Sequence, residues 1–177
     1  MDLDSIDGRF GEAWAGDGAN GSHVNLVVAR RGSPTAASIA TQLGSVASGH
    51  APFLLCLGAG TLVRPATVIR NKTTVDNDRI ARLTWGAAQI GLGQGVVDAV
   101  ADGIIAAEIV DEIVLMAAVW VDPAAVNAVA IKAANREAIR AAIADALAPS
   151  HTDHIKHLIA NRDSLTNRFD DAQECST

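Results

Sequence analysis

At 177 residues the chain is long enough for one domain with a full core and too short for two of ordinary size. Apolar residues make up 49%, largely Ala and Val, with no Tyr, so the core must be built from small side chains that let helices and sheet approach closely. A net charge of −6 leaves no basic excess to release counterions and argues against non-specific nucleic-acid binding. Two cysteines, Cys56 in an apolar run and Cys175 near the end, cannot make a disulfide framework and suit a reduced, intracellular setting. The first ten residues are acidic and lack the segments of an export signal, and no apolar run reaches membrane-spanning length. The expectation is a soluble cytoplasmic protein.

Residues 1–8 read as a loose leader, and 11–15 as a short strand. A Gly/Asn/Asp-rich turn over 16–22 then delivers His23 onto the β-branched run 24–29, VNLVVA, which predicts a buried strand. Three of the five histidines sit in the C-terminal stretch; His23 is the one that a rigid strand could hold at the rim of a pocket. Ser33 and Pro34 predict a helix start, with Ile39, Leu43 and Val46 as its apolar stripe and Gly49 at its end.

FLLCLG over 53–58 predicts a second buried strand. ATVIRNKTTVD from Ala66 alternates: Thr67, Ile69, Asn71, Thr73 and Val75 share one face, and Val68, Arg70, Lys72 and Thr74 the other. Two cations in line are costly to bury, so that second face must meet solvent, a partner or a ligand. Residues 76–78 predict a helix cap; the helix carries Ile80, Leu83, Ala87 and Ile90, and Gly91, Gly93 and Gly95 are expected to kink or divide it. IVLMAAVWV over 113–121 predicts a third buried strand. Asp122 and Pro123 then open an Ala-rich helix to Leu147, with Val126, Val129, Ala133 and 139–143 inward.

Interleaved strands and helices predict an α/β layered domain over 1–149, followed by a polar tail over 150–177. His151, His154 and His157 recur in the tail, but the first and third are rotated by about 240° on a helix and cannot converge on one metal ion. A solvated amphipathic helix using Ile155, Leu158 and Ile159 is the expected form.

Three pieces in order, GDGANGSHVNL, RRGSP with its helix, and RPATVIRNKTTV leading to WGAAQ, resemble the formaldehyde-activating enzyme family. The similarity continues through VVDAVADGIIAAEIVDE and spans roughly residues 10–147. It implies a two-layer α/β sandwich of the ribosomal-protein-S5-domain-2-like kind, helices packed on one mixed sheet, assembled as a homopentamer. It implies condensation of formaldehyde with tetrahydromethanopterin to the methylene derivative and water, a hydro-lyase reaction of one-carbon metabolism and formaldehyde detoxification. The reduced pterin is a co-substrate, and no metal or redox cofactor is expected. The family's general acid falls on His23, and its substrate-contacting positions on Asn25, Leu55, Lys72, Thr74 and Gln89.

Physical needs agree with that chemistry. A carbinolamine hydroxyl leaves as water only if a proton reaches it, and an imidazole suits that task. The chain departs from the family in several places. Asn25 stands where the family usually has aspartate, so His23 is expected to be a weaker acid reservoir at pH 7. Ala29–Arg30 replace Gly-Pro, Arg70 replaces an aromatic, Ala87 replaces a proline, and the aromatic cluster after the last strand is reduced to Trp120 with Asp122–Pro123. Two alternatives follow: a related condensation with another aldehyde or amine, or a non-catalytic carrier or sensor of a pterin or aldehyde adduct.

Overall fold

The computed structural model describes residues 2–148 and 151–166. Strand β2 (Ser22–Arg30) lies between β1 (Arg9–Ala15) and β7 (Ile113–Val121), antiparallel to both. On the far side of β7 runs β6 (Ala66–Asn71), parallel to it, and β3 (Phe53–Leu54) closes the edge, giving a mixed sheet in the order β1-β2-β7-β6-β3. Alternation fixes what each face carries. Val24, Leu26 and Val28 of β2, and Ile113, Leu115, Ala117, Val119 and Val121 of β7, are buried on one side. His23, Asn25 and Val27, with Met116, Ala118 and Trp120, lie on the other side and are only half-buried.

Helices α3 (Gln89–Ala101) and α4 (Ala128–Leu147) pack on the apolar face and on each other, completing a two-layer α/β sandwich. A Cβ at Gly91 would run into the carbonyl oxygen of Lys132, and one at Gly95 into that of Arg136. The glycines therefore let α3 lie against α4. They neither kink nor divide α3, which runs through all three. The irregularity falls earlier, in a π-helical segment Leu83–Ala88 between α2 (Asp78–Arg82) and α3.

Local chemistry moves several other boundaries from their expected places. The helix α1 (Pro34–Gln42) is capped by Ser33, whose hydroxyl accepts from Ala36 N–H at 3.0 Å, but it ends at Gln42 rather than Gly49. Of its expected stripe only Ile39 is buried, against Ala29 and Val68, so α1 covers one end of the second sheet face. FLLCLG divides: β3 joins the main sheet, while β4 (Cys56–Leu57) pairs with β5 (Thr61–Leu62) in a separate ribbon. Helix α4 begins at Ala128 because Asn127 caps it, its side-chain oxygen accepting from Val129 and Ala130 N–H at 3.0 and 3.1 Å. That start shifts the inward stripe to Ile131, Ala134, Ala138, Ile139, Ala142 and Ile143, leaving Val126 and Val129 exposed.

The leader is not loose throughout. Ile6 is fully buried, and the Asp7 carboxylate accepts from Arg30 N–H, Ser33 Oγ and Thr35 Oγ1 at 2.7–3.0 Å. The chain divides at Leu147 into two compact units, and the second contains α5 (His151–Asn161). Ile155, Leu158 and Ile159 are exposed on it. The side chains of His151 and His154, like Cys175, lie outside the described residues. Among the described residues, no acidic, Cys and His group could hold a metal ion, and no helix is long and apolar enough to cross a membrane.

Candidate active site

His23 is placed by the turn before it and by the residue beside it. Gly16 has φ 78° and lies so close to Ala134 of α4 that a side chain there would clash. Ser22 then points into the core, where its hydroxyl donates to Asn135 Oδ1 at 2.9 Å and Asn135 Nδ2 donates to the Ile131 carbonyl at 2.8 Å. With Ser22 anchored to α4, the next residue must project from the opposite face.

On that face the cross-strand register sets two rows. One runs Trp14–His23–Trp120; the other runs Glu12–Asn25–Ala118–Arg70. Trp14 stacks on the His23 ring at a centroid distance of 4.0 Å and an interplanar angle of 5°. Lys72 follows directly on the end of β6, its backbone N–H bonded to the Val119 carbonyl at 2.7 Å. Its side chain crosses β7 to reach His23 Nδ1 at 3.1 Å and to donate to Asn25 Oδ1. The small Ala118 side chain leaves that crossing open.

Glu12, which the sequence analysis did not single out, completes the cluster. Its carboxylate meets His23 Nε2 in a short hydrogen-bonded contact. With the Lys72 ammonium donating to Nδ1, we assign the ring proton of neutral His23 to Nε2, directed at Glu12. The carboxylate missing at position 25 is thus supplied from the neighbouring strand. Its signal lay in RFGEAWA, whose alternation puts Phe10, Glu12 and Trp14 on one face.

Burial pushes the His23 pKa below its ordinary value of 6.5, and the Lys72 charge adds to this; the Glu12 hydrogen bond and charge oppose both. Burial likewise lowers Lys72 from 10.5, again against Glu12. The His23 side chain is 15% exposed and that of Glu12 49%, so the carboxylate is the partner free to move. The cluster can therefore offer a proton on Nε2, backed by an ammonium whose own proton is held less tightly than usual.

The other expected site residues lie elsewhere or make other contacts. Strand β6 ends at Asn71, so alternation no longer governs Thr74; its hydroxyl bonds His50 Nε2 at 3.1 Å. His50, also missed by the sequence analysis, spans from Thr74 to the Asn71 carbonyl, at 2.9 Å from Nδ1, and ties the 49–50 loop to the end of β6. Leu55 is fully buried, with its N–H bonded to the Thr67 carbonyl at 2.9 Å and its carbonyl to Val63 N–H at 3.0 Å. Gln89 is half-buried at the start of α3, and no side-chain hydrogen bond to it occurs among the described residues.

A family model described as "Formaldehyde-activating enzyme (Fae)" matches residues 10–170, further toward the C-terminus than the sequence motifs extend. A protein of Methanosarcina barkeri named 5,6,7,8-tetrahydromethanopterin hydro-lyase is 33% identical over 159 residues, covering 90% of this chain and 88% of its own. Proteins named bifunctional enzyme Fae/Hps are 39% identical in Methanosphaera stadtmanae and 38% in Archaeoglobus fulgidus, over 66% and 67% of this chain. The chain spans less than a third of those two, 29% and 30%.

Proposed function

The chain belongs to the formaldehyde-activating enzyme family, and from that premise we propose that it condenses formaldehyde with tetrahydromethanopterin, giving methylene-tetrahydromethanopterin and water. The observation that carries the reading is the Lys72–His23–Glu12 chain on an accessible sheet face.

The difficult step is loss of hydroxide from the carbinolamine formed when one pterin nitrogen adds to formaldehyde. The hydroxyl oxygen takes the place of the Glu12 carboxylate at His23 Nε2, which half-exposed Glu12 can surrender to water. As Nε2–H passes to that oxygen and water departs, Nδ1 takes a proton from the Lys72 ammonium. The imidazole stays neutral overall, and the iminium is captured by the second pterin nitrogen. The proton that this nitrogen sheds on ring closure goes to His23 Nε2 while Nδ1 returns its own to Lys72, which restores the starting tautomer and the ammonium. The depressed pKa of Lys72 favours this release. Glu12 keeps negative potential beside the developing cation, and Asn25 holds the Lys72 ammonium in line. In this reading Thr74 and Gln89 contribute to the pterin pocket, and Leu55 supports it from the core.

The same reading takes the protein to be a cytoplasmic homopentamer. Helix α1 covers only the Ala29–Val68 end of the second sheet face, which supports a neighbouring copy closing over the His23 end and sandwiching the pterin. Its partners are then the pterin, formaldehyde and further copies of itself, with neither nucleic acid nor membrane.

The test follows the condensation spectroscopically under conditions where the spontaneous reaction is slow. Wild type is expected to accelerate it, and His23→Ala to lose about 10²–10⁴-fold in rate. Lys72→Arg keeps the charge but cannot release its proton, and is expected to lose turnover while still binding the pterin. No acceleration by wild type ends the formaldehyde reading; pterin that is bound but condensed with no aldehyde would make the protein a carrier or sensor.

A further inference from the structure

We propose that this site carries a carboxylate subsite over Ala118, and that the aldehyde it prefers bears a carboxylate on its carbonyl carbon. The proposal rests on the reading of the His23 face as the reacting site. Arg70 and Asn25 are both register partners of Ala118, on opposite sides of it. With strands about 4.8 Å apart, roughly 10 Å separates their Cα atoms. Ala118 fills the space between with only a methyl group. The Lys72 side chain crosses beside it to Asn25, so a carboxylate held there would lie between the Arg70 guanidinium and the Lys72 ammonium, next to the His23 nitrogen that would handle the carbonyl oxygen.

Charge points the same way. Arg70 and Lys72 place two cations on this face, and the Glu12 carboxylate is paired with His23 on the far side of Asn25. The half-buried Arg70 guanidinium has five N–H donors. Among the described residues its side-chain partner is the neutral Gln42 Oε1 at 3.0 Å, at the end of α1. Gln42 steadies the guanidinium without neutralising it. A partly desolvated guanidinium held by a neutral amide is suited to a bidentate carboxylate. Asn25 Oδ1 accepts from Lys72, so its amide N–H groups remain available to the second carboxylate oxygen. Bare formaldehyde would leave this positive floor unused.

The binding step is read apart from turnover. The intrinsic fluorescence of Trp14 and Trp120, both beside His23, is titrated with glyoxylate and with glycolaldehyde, a neutral aldehyde of equal size, at low ionic strength. Wild type is expected to bind glyoxylate at least about tenfold more tightly, and Arg70→Gln to lose that preference. Should Arg70→Gln fail to fold, Arg70→Lys, which keeps the charge but not the planar fork, is expected to lose a large part of it. Equal affinity of wild type for the two aldehydes overturns the proposal, as does a preference undiminished in the variants. Tetrahydromethanopterin affinity is measured on the same proteins. A loss confined to the pterin on replacing Arg70 assigns the anion to the co-substrate and overturns the aldehyde assignment. Glyoxylate preference in a protein that condenses nothing leaves the subsite standing and removes the reaction reading.

Discussion

His23 shows how one side chain is tuned by neighbours from three strands. Burial and Lys72 press its pKa down, while Glu12 holds it up. Its imidazole is expected to titrate below 6.5 by NMR, and lower still in Glu12→Gln, which removes the opposing charge. A wild-type value at or above 6.5 would contradict the geometry. The linked effect on stability has a definite sign. Below the unfolded value of 6.5, the unfolded chain binds more protons at this residue than the folded one. The His23 contribution therefore rises with pH through that window and is lost as pH falls from 6.5 through the lower folded value. The lowered pKa has a cause other than the charge missing at Asn25. A carboxylate is there, on the next strand, and desolvation with Lys72 outweighs it.

At the level of elements, the site depends on how closely helices and strands approach. Lys72 reaches β2 only by crossing β7, where Ala118 leaves room. Beneath the sheet, α3 and α4 meet at Gly91 and Gly95, where backbone nearly touches backbone. Gly95→Ala is expected to destabilise the protein by about 1–3 kcal/mol despite the better helix propensity of alanine, because the added methyl overpacks the contact. The midpoint of urea unfolding checks this, and an unchanged or raised midpoint would mean the helices can separate at no cost. A Gly-x-Gly-x-Gly run reads in sequence as a helix interruption, since glycine disfavours helices. Here packing against α4 outweighs propensity, and the helix continues.

For the whole molecule, the open end of the second sheet face sets the expectation. A pentamer of this 18.3 kDa chain should have about five times the chain mass. Light scattering in solution checks it; a monomer at all concentrations would leave the His23 face uncovered and the sandwiched-pterin reading without its second wall.

Much of this was legible in the residues alone. Strand β7 occupies 113–121 as expected, because a nine-residue apolar run bounded by turn residues has few other ways to bury itself. The interleaved elements gave the α/β class, and strand alternation placed His23 with Asn25 and brought Lys72 to an awkward polar face. What the sequence determined was local: periodicity, caps such as Ser33, and the side of a strand on which a residue stands. The tertiary structure alone decided which strands are neighbours. The order β1-β2-β7-β6 brings Glu12, His23, Lys72 and Arg70 together from three separate stretches of chain. It also separated Thr74 from Lys72 by ending β6 at Asn71, and drew Leu55 into the core. Alternation is a property of one strand, whereas the cross-strand register that builds the proton chain comes from long-range pairing, which no spacing within a single segment encodes.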